Sequence, residues 1–323
     1  MNLTLNVYHD VRRGGRNYME DVIAIVTHIG DQSEPYSHPF VCFLVFDGHG
    51  GVEAAKFSEE NLLNEIKAQE GFNSDDDELV VEAIKKGFLS THQSMWKVIG
   101  TWPKTQHGLP STSGTTASMV LIRKGKLYVA HVGDSTVMLA EQGDCGLTWK
   151  ARVLTTDHKP DLPKERQRIE MSGGEVMLKS GVPRVVWRRE RSIKLPNKKV
   201  SSKDCVPFLA VARSLGDLWS YNESTEMYSV SPEPDVSVHN IDLSQLKCLI
   251  LASDGLWNVL SATETIKIVM KSLNATHQSQ LKNDSFSWLN IDPAMALIDV
   301  VMAKCRDRYL RADNTSVIVV LFE

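Results

Sequence analysis

The feature that most constrains this chain is a series of short apolar runs rich in β-branched and aromatic residues, several of them apolar at every position. A strand of that kind has to be covered on both faces, so the runs predict sheets that are packed inside the protein. The predicted strands comprise residues 22–29, 40–46, 117–122, 127–132, 136–140, 208–211, 248–251 and 316–322.

Helical patterns fill several of the segments between these runs. The predicted helices comprise residues 51–68, a helix that starts from an N-cap at Ser74, residues 161–169 and residues 292–304. Because helices come in pairs and Lys124-Gly125 joins two strands as a tight hairpin, the order favours an α+β fold of mostly antiparallel sheets over alternating βαβ units. We predict exposed loops for a basic segment at residues 184–203 and a polar one at residues 273–290.

Composition excludes several classes of protein. The chain has 323 residues, 42% of them hydrophobic, which is enough for a sizeable core, and its net charge of −4 favours neither nucleic acid nor a membrane as a partner. Five scattered cysteines without CxxC spacing argue against a disulfide framework and a zinc–thiolate site. There is no signal-peptide pattern and no run long enough to span a bilayer. We expect a reducing compartment, the nucleus and/or the cytoplasm, and a monomer.

Acidic residues recur where the apolar runs begin or end. They are Glu20, Asp21, Asp47, Asp134, Asp254 and Asp313. If the strands align, these side chains gather at one end of the sheets and repel one another unless cations neutralise them. Oxygen ligands favour Mg²⁺ or Mn²⁺, and Gly48 lets its carbonyl approach such an ion closely. A single Asp-Gly pair is more often an ordinary turn, so the prediction depends on the recurrence.

Seven short motifs occur in order along the chain. They are Arg16-Asn17-Tyr18-Met19-Glu20-Asp21, Val45-Phe46-Asp47-Gly48-His49-Gly50-Gly51, Ser113-Gly114-Thr115-Thr116-Ala117, Val132-Gly133-Asp134-Ser135, Ala212-Arg213-Ser214-Leu215-Gly216-Asp217, Ser253-Asp254-Gly255-Leu256-Trp257 and Asp313-Asn314-Thr315-Ser316. Together they resemble the PPM, or type 2C, family of protein phosphatases over nearly the whole chain. The resemblance implies a single domain over residues 1–323, folded as a four-layer αββα sandwich of two mostly antiparallel sheets flanked by helices.

The same resemblance implies hydrolysis of phosphoserine and phosphothreonine on proteins by a metal-activated water, with no phosphoenzyme. Two Mg²⁺ or Mn²⁺ ions per chain would share Asp47, which also counts as catalytic. A third, weakly bound ion would lie between Asp134 and Asp254. The other ligands of the two main ions would be Glu20, Asp21, Gly48, Asp254 and Asp313.

Two further side chains receive catalytic roles from the resemblance. Arg16 is expected to grip the phosphate with its fork of donors, and His49 to protonate the leaving oxygen. Thr116 and Asp217 occupy motif positions and receive supporting roles only. From the residues alone, a surface arginine paired with Glu20 is the preferred interpretation of Arg16, and a turn histidine bound to backbone stays open for His49.

Further stretches resemble one subgroup of the family, the DNA-damage-induced delta isoform. They are Trp102-Pro103-Lys104, Gly108-Leu109-Pro110-Ser111-Thr112-Ser113-Gly114-Thr115-Thr116, Asp157-His158-Lys159-Pro160, Leu162-Pro163-Lys164-Glu165-Arg166, Arg184-Val185-Val186-Trp187, Gly216-Asp217-Leu218-Trp219-Ser220-Tyr221 and Leu310-Arg311-Ala312-Asp313-Asn314-Thr315-Ser316. That subgroup switches off checkpoint signalling. The resemblance therefore implies phosphorylated checkpoint kinases and their targets as partners, and a role in attenuating stress or DNA-damage kinase signalling.

The basic segment at residues 184–203 carries eight basic residues and one acidic residue. Beside an acidic metal site, such a segment suits substrates with extra negative charge near the target residue. A solvated charged loop and a nuclear-import patch stay open as simpler explanations. The predicted substrate-binding residues are Arg16, Arg184, Arg188, Arg189 and Arg191.

Three other functions stay open. The main alternative is a catalytically inactive scaffold that binds phosphoproteins, which the complete set of acids argues against. A second is a metal-dependent hydrolase of small phosphate esters. A third is a nucleic-acid-binding module that uses the basic segment. It is disfavoured because Trp187 is the only aromatic residue among those charges.

Overall fold

The structure, a computed structural model, describes residues 4–30, 38–143, 148–195, 198–281 and 292–323. Within these residues the helices are α1 (Glu53–Lys67), α2 (Asp77–Met95), α3 (Pro163–Met171), α4 (Asp254–Trp257), α5 (Ala262–Leu281) and α6 (Pro293–Asp307). The strands are β1 (Leu5–Arg12), β2 (Val22–His28), β3 (Phe40–Phe46), β4 (Gly48–His49), β5 (Gly114–Thr115), β6 (Ala117–Arg123), β7 (Lys126–Val132), β8 (Thr136–Gln142), β9 (Trp149–Val153), β10 (Val176–Lys179), β11 (Val182–Leu195), β12 (Lys198–Leu209), β13 (Leu215–Gly216), β14 (Tyr221–Asn222), β15 (Met227–Tyr228), β16 (Asp235–Asn240), β17 (Leu246–Ala252) and β18 (Thr315–Phe322). None of the described helices is both long enough and apolar enough to cross a membrane.

Two five-stranded sheets dominate the described residues. The first has the order β16-β7-β6-β3-β2 and the second the order β1-β18-β17-β8-β9. All neighbouring strands in both sheets run antiparallel. The tight turn predicted at Lys124-Gly125 joins β6 and β7, and both of its residues have positive φ, of 51° and 73°.

Alternation of side chains along the strands produces three apolar layers. In β3, Phe43 and Val45 belong to the core between the two sheets, whereas Leu44 and Phe46 belong to the core under α1 and α2. In β18, Val319 belongs to a third core, which α5 and α6 cover. The layers therefore run helix, sheet, sheet, helix, and the predicted αββα sandwich is confirmed.

The two predicted loops are wrong where the structure describes them. In the basic segment, β11 and β12 pair antiparallel as a long hairpin from Val185 to Leu195. Residues 273–281 continue α5, and the rest of the predicted polar loop lies outside the described residues. A two-stranded hairpin satisfies its backbone hydrogen bonds between its own strands, so it needs no apolar face that a sequence pattern would display.

Helix α2 begins later than the sequence predicts. Its N-cap is Asp76, whose side chain accepts a hydrogen bond from the Glu78 N–H at 2.9 Å. Ser74 accepts from the Asp76 N–H at 3.0 Å and belongs to the preceding turn, so its prediction as N-cap is wrong. Serine and aspartate both bind nearby backbone N–H groups, which is why composition alone does not separate the two positions.

Gly87 of α2 marks a close approach of α1 and α2. A Cβ atom at this position would lie 2.6 Å from Cα and 2.8 Å from N of Ile66. We expect Gly87→Ala to lower the free energy of unfolding by roughly 1–3 kcal/mol, the cost of overpacking, although alanine is the better helix former by about 1 kcal/mol. Urea denaturation measures the change. Gly100→Ala, where nothing lies within 4 Å, is the matched control, and a Gly87→Ala protein as stable as the wild type would contradict the packing.

Candidate active site

The predicted acidic residues lie at strand ends, as expected. Asp47 follows the last residue of β3, Asp254 opens α4 two residues beyond the end of β17, and Asp313 lies two residues before β18. In the second sheet, Ala252 pairs with Val317, which brings the end of β17 next to the start of β18. The fold therefore gathers carboxylates that are far apart in the sequence, such as Asp47 and Asp313, which are 266 positions apart.

The carboxylates lie close enough together for their charges to act on one another. Burial, followed by the charges of Asp21, Asp254, Asp134 and Asp313, holds the pKa of Asp47 well above its ordinary value. Burial and neighbouring acids also raise the pKa of Asp21 to about 7 and the pKa of Asp254 to about 6. Neighbouring aspartates thus oppose the ionisation of Asp21, Asp47 and Asp254.

The cluster has features that a hard divalent cation fits. Oδ1 of Asp21 is buried without a hydrogen-bond partner, while Oδ2 accepts from the Ser316 hydroxyl at 2.9 Å. A Cβ atom on Gly48 would collide with the backbone carbonyl of Glu20, so only glycine fits there. The Glu20 carboxylate accepts from the Gly51 N–H at 2.7 Å. The available donors are oxygen atoms, which suit Mg²⁺ or Mn²⁺ better than zinc.

Arg16 lies beside this cluster. Its Nη2 donates to Oδ2 of Asp313 at 2.5 Å, and 52% of its side chain is exposed. The described ion pair is therefore with Asp313 instead of Glu20, the partner that the sequence alone suggested. Asn314 fixes the loop, because its Oδ1 accepts from the Glu20 N–H at 2.9 Å and its Nδ2 donates to the Tyr18 carbonyl at 3.0 Å. Sequence reasoning assigned Asn314 no role, although it stands inside one of the seven motifs.

His49 is held by a buried carboxylate. Its Nε2 lies 2.7 Å from Oδ2 of Asp217, a fully buried residue whose two oxygens accept from the Ser214 hydroxyl at 2.6 Å and the Trp219 Nε1–H at 2.7 Å. Burial acts to lower the pKa of His49, but the charge and hydrogen bond of Asp217 outweigh it and raise the pKa. Asp217 has φ of 50°, a strained conformation for a non-glycine residue. A turn histidine bound to backbone does not describe this contact, and Asp217 does more than the sequence indicated.

A second group of potential metal ligands contains two histidines. His131, His158 and Asp235 place ligand atoms within 4.8 Å of one another. The two rings stack at 8° with centroids 4.5 Å apart, so their nitrogen lone pairs lie in nearly parallel planes and do not converge. Nδ1 of His158 accepts from the Gly133 N–H at 3.1 Å, and Nε2 lies 3.3 Å from Asp235, which also accepts from Arg213. We interpret the group as a brace for the end of β7, one that the distant sequence positions did not reveal.

Two of the predicted substrate-binding arginines are engaged within the protein. Arg184 donates to a carbonyl of β12 at 2.7 Å, and Arg188 lies 3.4 Å from the carboxylate of Glu175. Both contacts hold the start of the β11–β12 hairpin in place. The predictions for Arg189 and Arg191 concern side chains outside the described part of the structure.

Comparison with known proteins places this chain in a family. The profile described as protein phosphatase 2C matches residues 9–297. Probable protein phosphatase 2C 2 of Arabidopsis thaliana is 32% identical over 269 residues, which is 83% of this chain and 58% of that protein. Protein phosphatase 1A of Homo sapiens is 30% identical over 82% of this chain and 61% of its own length. The chain belongs to the protein phosphatase 2C family, which is metal-dependent.

Solved structures agree on the fold. The crystal structure of serine-threonine phosphatase 2C from Toxoplasma gondii superposes with a TM-score of 0.72 at 22% identity, covering 99% of this chain and 95% of that one. A C. elegans sex-determining protein superposes with a TM-score of 0.67 at 21% identity over 98% of this chain and 64% of its own. The chain spans about 58% of the length of the first curated relative that it matches, so that protein contains segments without a counterpart here.

The raised pKa values predict that the metal-free protein loses stability as the pH rises from about 4 to about 7. In the unfolded chain, aspartates ionise near pKa 3.9. In the folded cluster the pKa of Asp21 is about 7 and that of Asp254 about 6. Over this range the folded state binds more protons than the unfolded state, so stability falls with pH.

A bound divalent cation offsets this cost, because it favours the ionised carboxylates. We therefore expect Mg²⁺ to raise Tm more at about pH 7.5 than at about pH 5. Calorimetry in matched buffers measures the shift, with NaCl at equal ionic strength as the control. A Tm that responds equally to Mg²⁺ at both pH values would contradict the electrostatic account of the cluster.

Proposed function

We propose that this chain is a divalent-metal-dependent phosphatase of phosphoserine and phosphothreonine in proteins, and that residues 1–323 act as a single domain. The observation that carries the proposal is the cluster of five aspartates. Arg16 forms an ion pair with one of them, Asp313, and the charge of another, Asp134, acts on His49. Without cations, full ionisation of such a cluster is unfavourable near neutral pH, because the buried carboxylates repel one another. Its cations and the half-exposed arginine together suit a doubly charged phosphate.

The proposed ligands of two Mg²⁺ or Mn²⁺ ions are those that the family resemblance implies. Asp47 is buried and lies close enough to Asp21, Asp254, Asp134 and Asp313 for their charges to raise its pKa, which suits a bridging ligand. When bound, the ions supply the positive charge that activates a water and neutralises the phosphoryl oxygens. The remaining proposed ligands are Glu20, Asp21, the carbonyl of Gly48, Asp254 and Asp313.

Arg16 is proposed to bind the phosphoryl oxygens, and His49 is proposed to protonate the leaving oxygen. The guanidinium of Arg16 offers a planar fork of donors that can pass from Asp313 to a phosphate. For His49, Nε2 is committed to Asp217, so Nδ1 is the nitrogen that can donate a proton to the leaving seryl or threonyl oxygen. Asp217 keeps the ring in that orientation and favours its protonated form.

The substrate class is proposed at a finer level. The excess of basic residues at 184–203 favours phosphoproteins with further negative charge near the target residue. The stretches that resemble the delta subgroup support a role in attenuating stress or DNA-damage kinase signalling, with checkpoint kinases and their targets as candidate partners, in the nucleus and/or the cytoplasm. Since Arg184 and Arg188 bind within the protein, the part of the hairpin beyond them is the proposed contact region.

Asp254→Asn is expected to abolish most phosphatase activity while leaving the fold intact. The amide preserves the size of the side chain but removes the charge that the cluster offers to cations. Release of phosphate from a phosphoserine or phosphothreonine peptide, with Mg²⁺ or Mn²⁺ and then with EDTA, measures the effect. We expect a loss of at least about 100-fold in kcat/KM, comparable to removal of a strong electrostatic contributor.

Asp299→Asn, at an exposed acid paired with Arg12, is the matched control and should keep wild-type activity. If the wild type releases no phosphate with any divalent ion, the inactive phosphoprotein-binding scaffold becomes the better explanation. Faster turnover of sugar phosphates than of phosphoproteins would instead favour a hydrolase of small esters.

Asp217→Asn is expected to lower the activity by an amount that depends on the leaving group of the substrate. A phosphoserine peptide needs a proton on its departing oxygen, so we expect kcat to fall by about 100-fold or more, the range of general acid catalysis. p-Nitrophenyl phosphate leaves as a stable anion and should lose far less. His49→Gln should show the same difference between the two substrates. The double variant should lose little more activity than either single variant. Equal losses on both substrates would mean that Asp217 merely supports the fold.

A further inference from the structure

Asp134 already has a cationic partner supplied by the chain. The ammonium of Lys159 forms an ion pair with Oδ2 of Asp134. The carboxylate is 8% exposed and the lysine side chain 37%, so the pair is shielded from water mainly on the aspartate side. Lys159 also interacts electrostatically with Asp254 and Asp157. A single positive charge therefore lies among the same carboxylates that would attract a further cation.

Hydrogen bonds hold the backbone next to Lys159 against the backbone next to Asp134. The His158 N–H donates to the Gly133 carbonyl at 2.9 Å, and the Gly133 N–H donates back to Nδ1 of His158 at 3.1 Å. His158 is buried and its ring stacks on His131. The residues that immediately precede Lys159 and Asp134 are thus clamped to each other, unlike those of a lysine that meets an acid by chance on a surface.

The other acid of the expected third site is engaged as well. Oδ2 of Asp254 accepts a hydrogen bond from the side-chain amide of Asn258 at 3.0 Å, one turn further along the chain. The side-chain amide of Asn258 is a neutral hydrogen-bond donor to Asp254. A divalent ion bound at Asp254 would need a further oxygen ligand in that position. The residues around Asp134 and Asp254 therefore do not fit a third divalent ion.

We propose that the ammonium of Lys159 takes the place of a third divalent ion, so that the chain binds two ions and completes the charge balance at Asp134 with its own lysine. This inference depends on the proposed function, since it assumes the two-ion site. It predicts that the number of divalent ions bound is limited by one side chain and increases when that side chain loses its charge.

Counting bound Mn²⁺ by electron paramagnetic resonance during a titration into the metal-free protein tests the inference without any assay of activity. We expect two ions on the wild type and on Lys159→Arg, which keeps the charge, and three on Lys159→Gln. Adding Asn258→Asp to Lys159→Gln supplies an oxygen ligand and should lower the dissociation constant of the third ion. Circular dichroism and Tm check that each variant is folded. If Lys159→Gln does not fold, Asn258→Asp alone is titrated instead, and we expect it to bind two ions because Lys159 is still present.

Three ions on the wild type, with one lost in Asp134→Asn, would overturn the inference, because the lysine would then yield to the metal. Two ions on a folded Lys159→Gln protein would also overturn it, while leaving the proposed function intact. A wild-type protein that binds no Mn²⁺ would instead remove the proposed function and this inference together.

Discussion

Mutual repulsion among buried carboxylates is the constraint on which this site depends. Asp21, Asp47 and Asp254 all have raised pKa values, with burial as the leading cause and the neighbouring acids adding to it. A fold that gathers such groups loses free energy unless positive charge or protons compensate. The cluster therefore ties stability, pH and cation binding to one set of side chains.

Burial of the central strands beneath the site offsets this cost. Every residue of β18 is buried, as are six of the seven residues of β17. Hydrogen bonds then fix the loops that carry the charges: Ser316 binds Asp21, and Asn314 holds the segment that contains Arg16. Apolar layers thus supply the rigidity, and polar contacts at the strand ends set the positions of the charged groups.

The part of the fold that follows from local pattern was predictable from the sequence. Runs such as Phe40–Phe46 are apolar throughout and match β3 at both ends. Strand β1 was missed because Leu5–Arg12 mixes apolar and charged residues as an edge strand does, and only its pairing with β18 identifies it. The β11–β12 hairpin was missed because its charged residues follow no burial pattern, so only the hydrogen bonds between its strands define it.

The candidate site was also predictable from the sequence in part only. The recurrence of acids at strand ends pointed to a cation site, because charge and strand position are both visible in the sequence. The partner of each functional side chain was not visible, since His49 meets Asp217 across 168 positions and Arg16 meets Asp313 across 297. His49 ends β4 and Asp217 directly follows β13, two strands that both pair with β5, and Arg16 and Asp313 lie near the paired ends of β1 and β18. No local pattern specifies which distant strands pair.

Physical economy favours an enzyme over an inactive scaffold. A phosphoprotein-binding surface needs cations or N–H donors that face solvent, and it gains nothing from aspartates that are buried against one another. In this chain the negative groups outnumber Arg16 and Lys159, the cations paired directly with members of the cluster in the described structure. That arrangement repels a phosphate until divalent ions reverse its sign. A histidine held by a buried carboxylate also has little use in binding alone, whereas a proton donor of fixed orientation is what a poor leaving group requires.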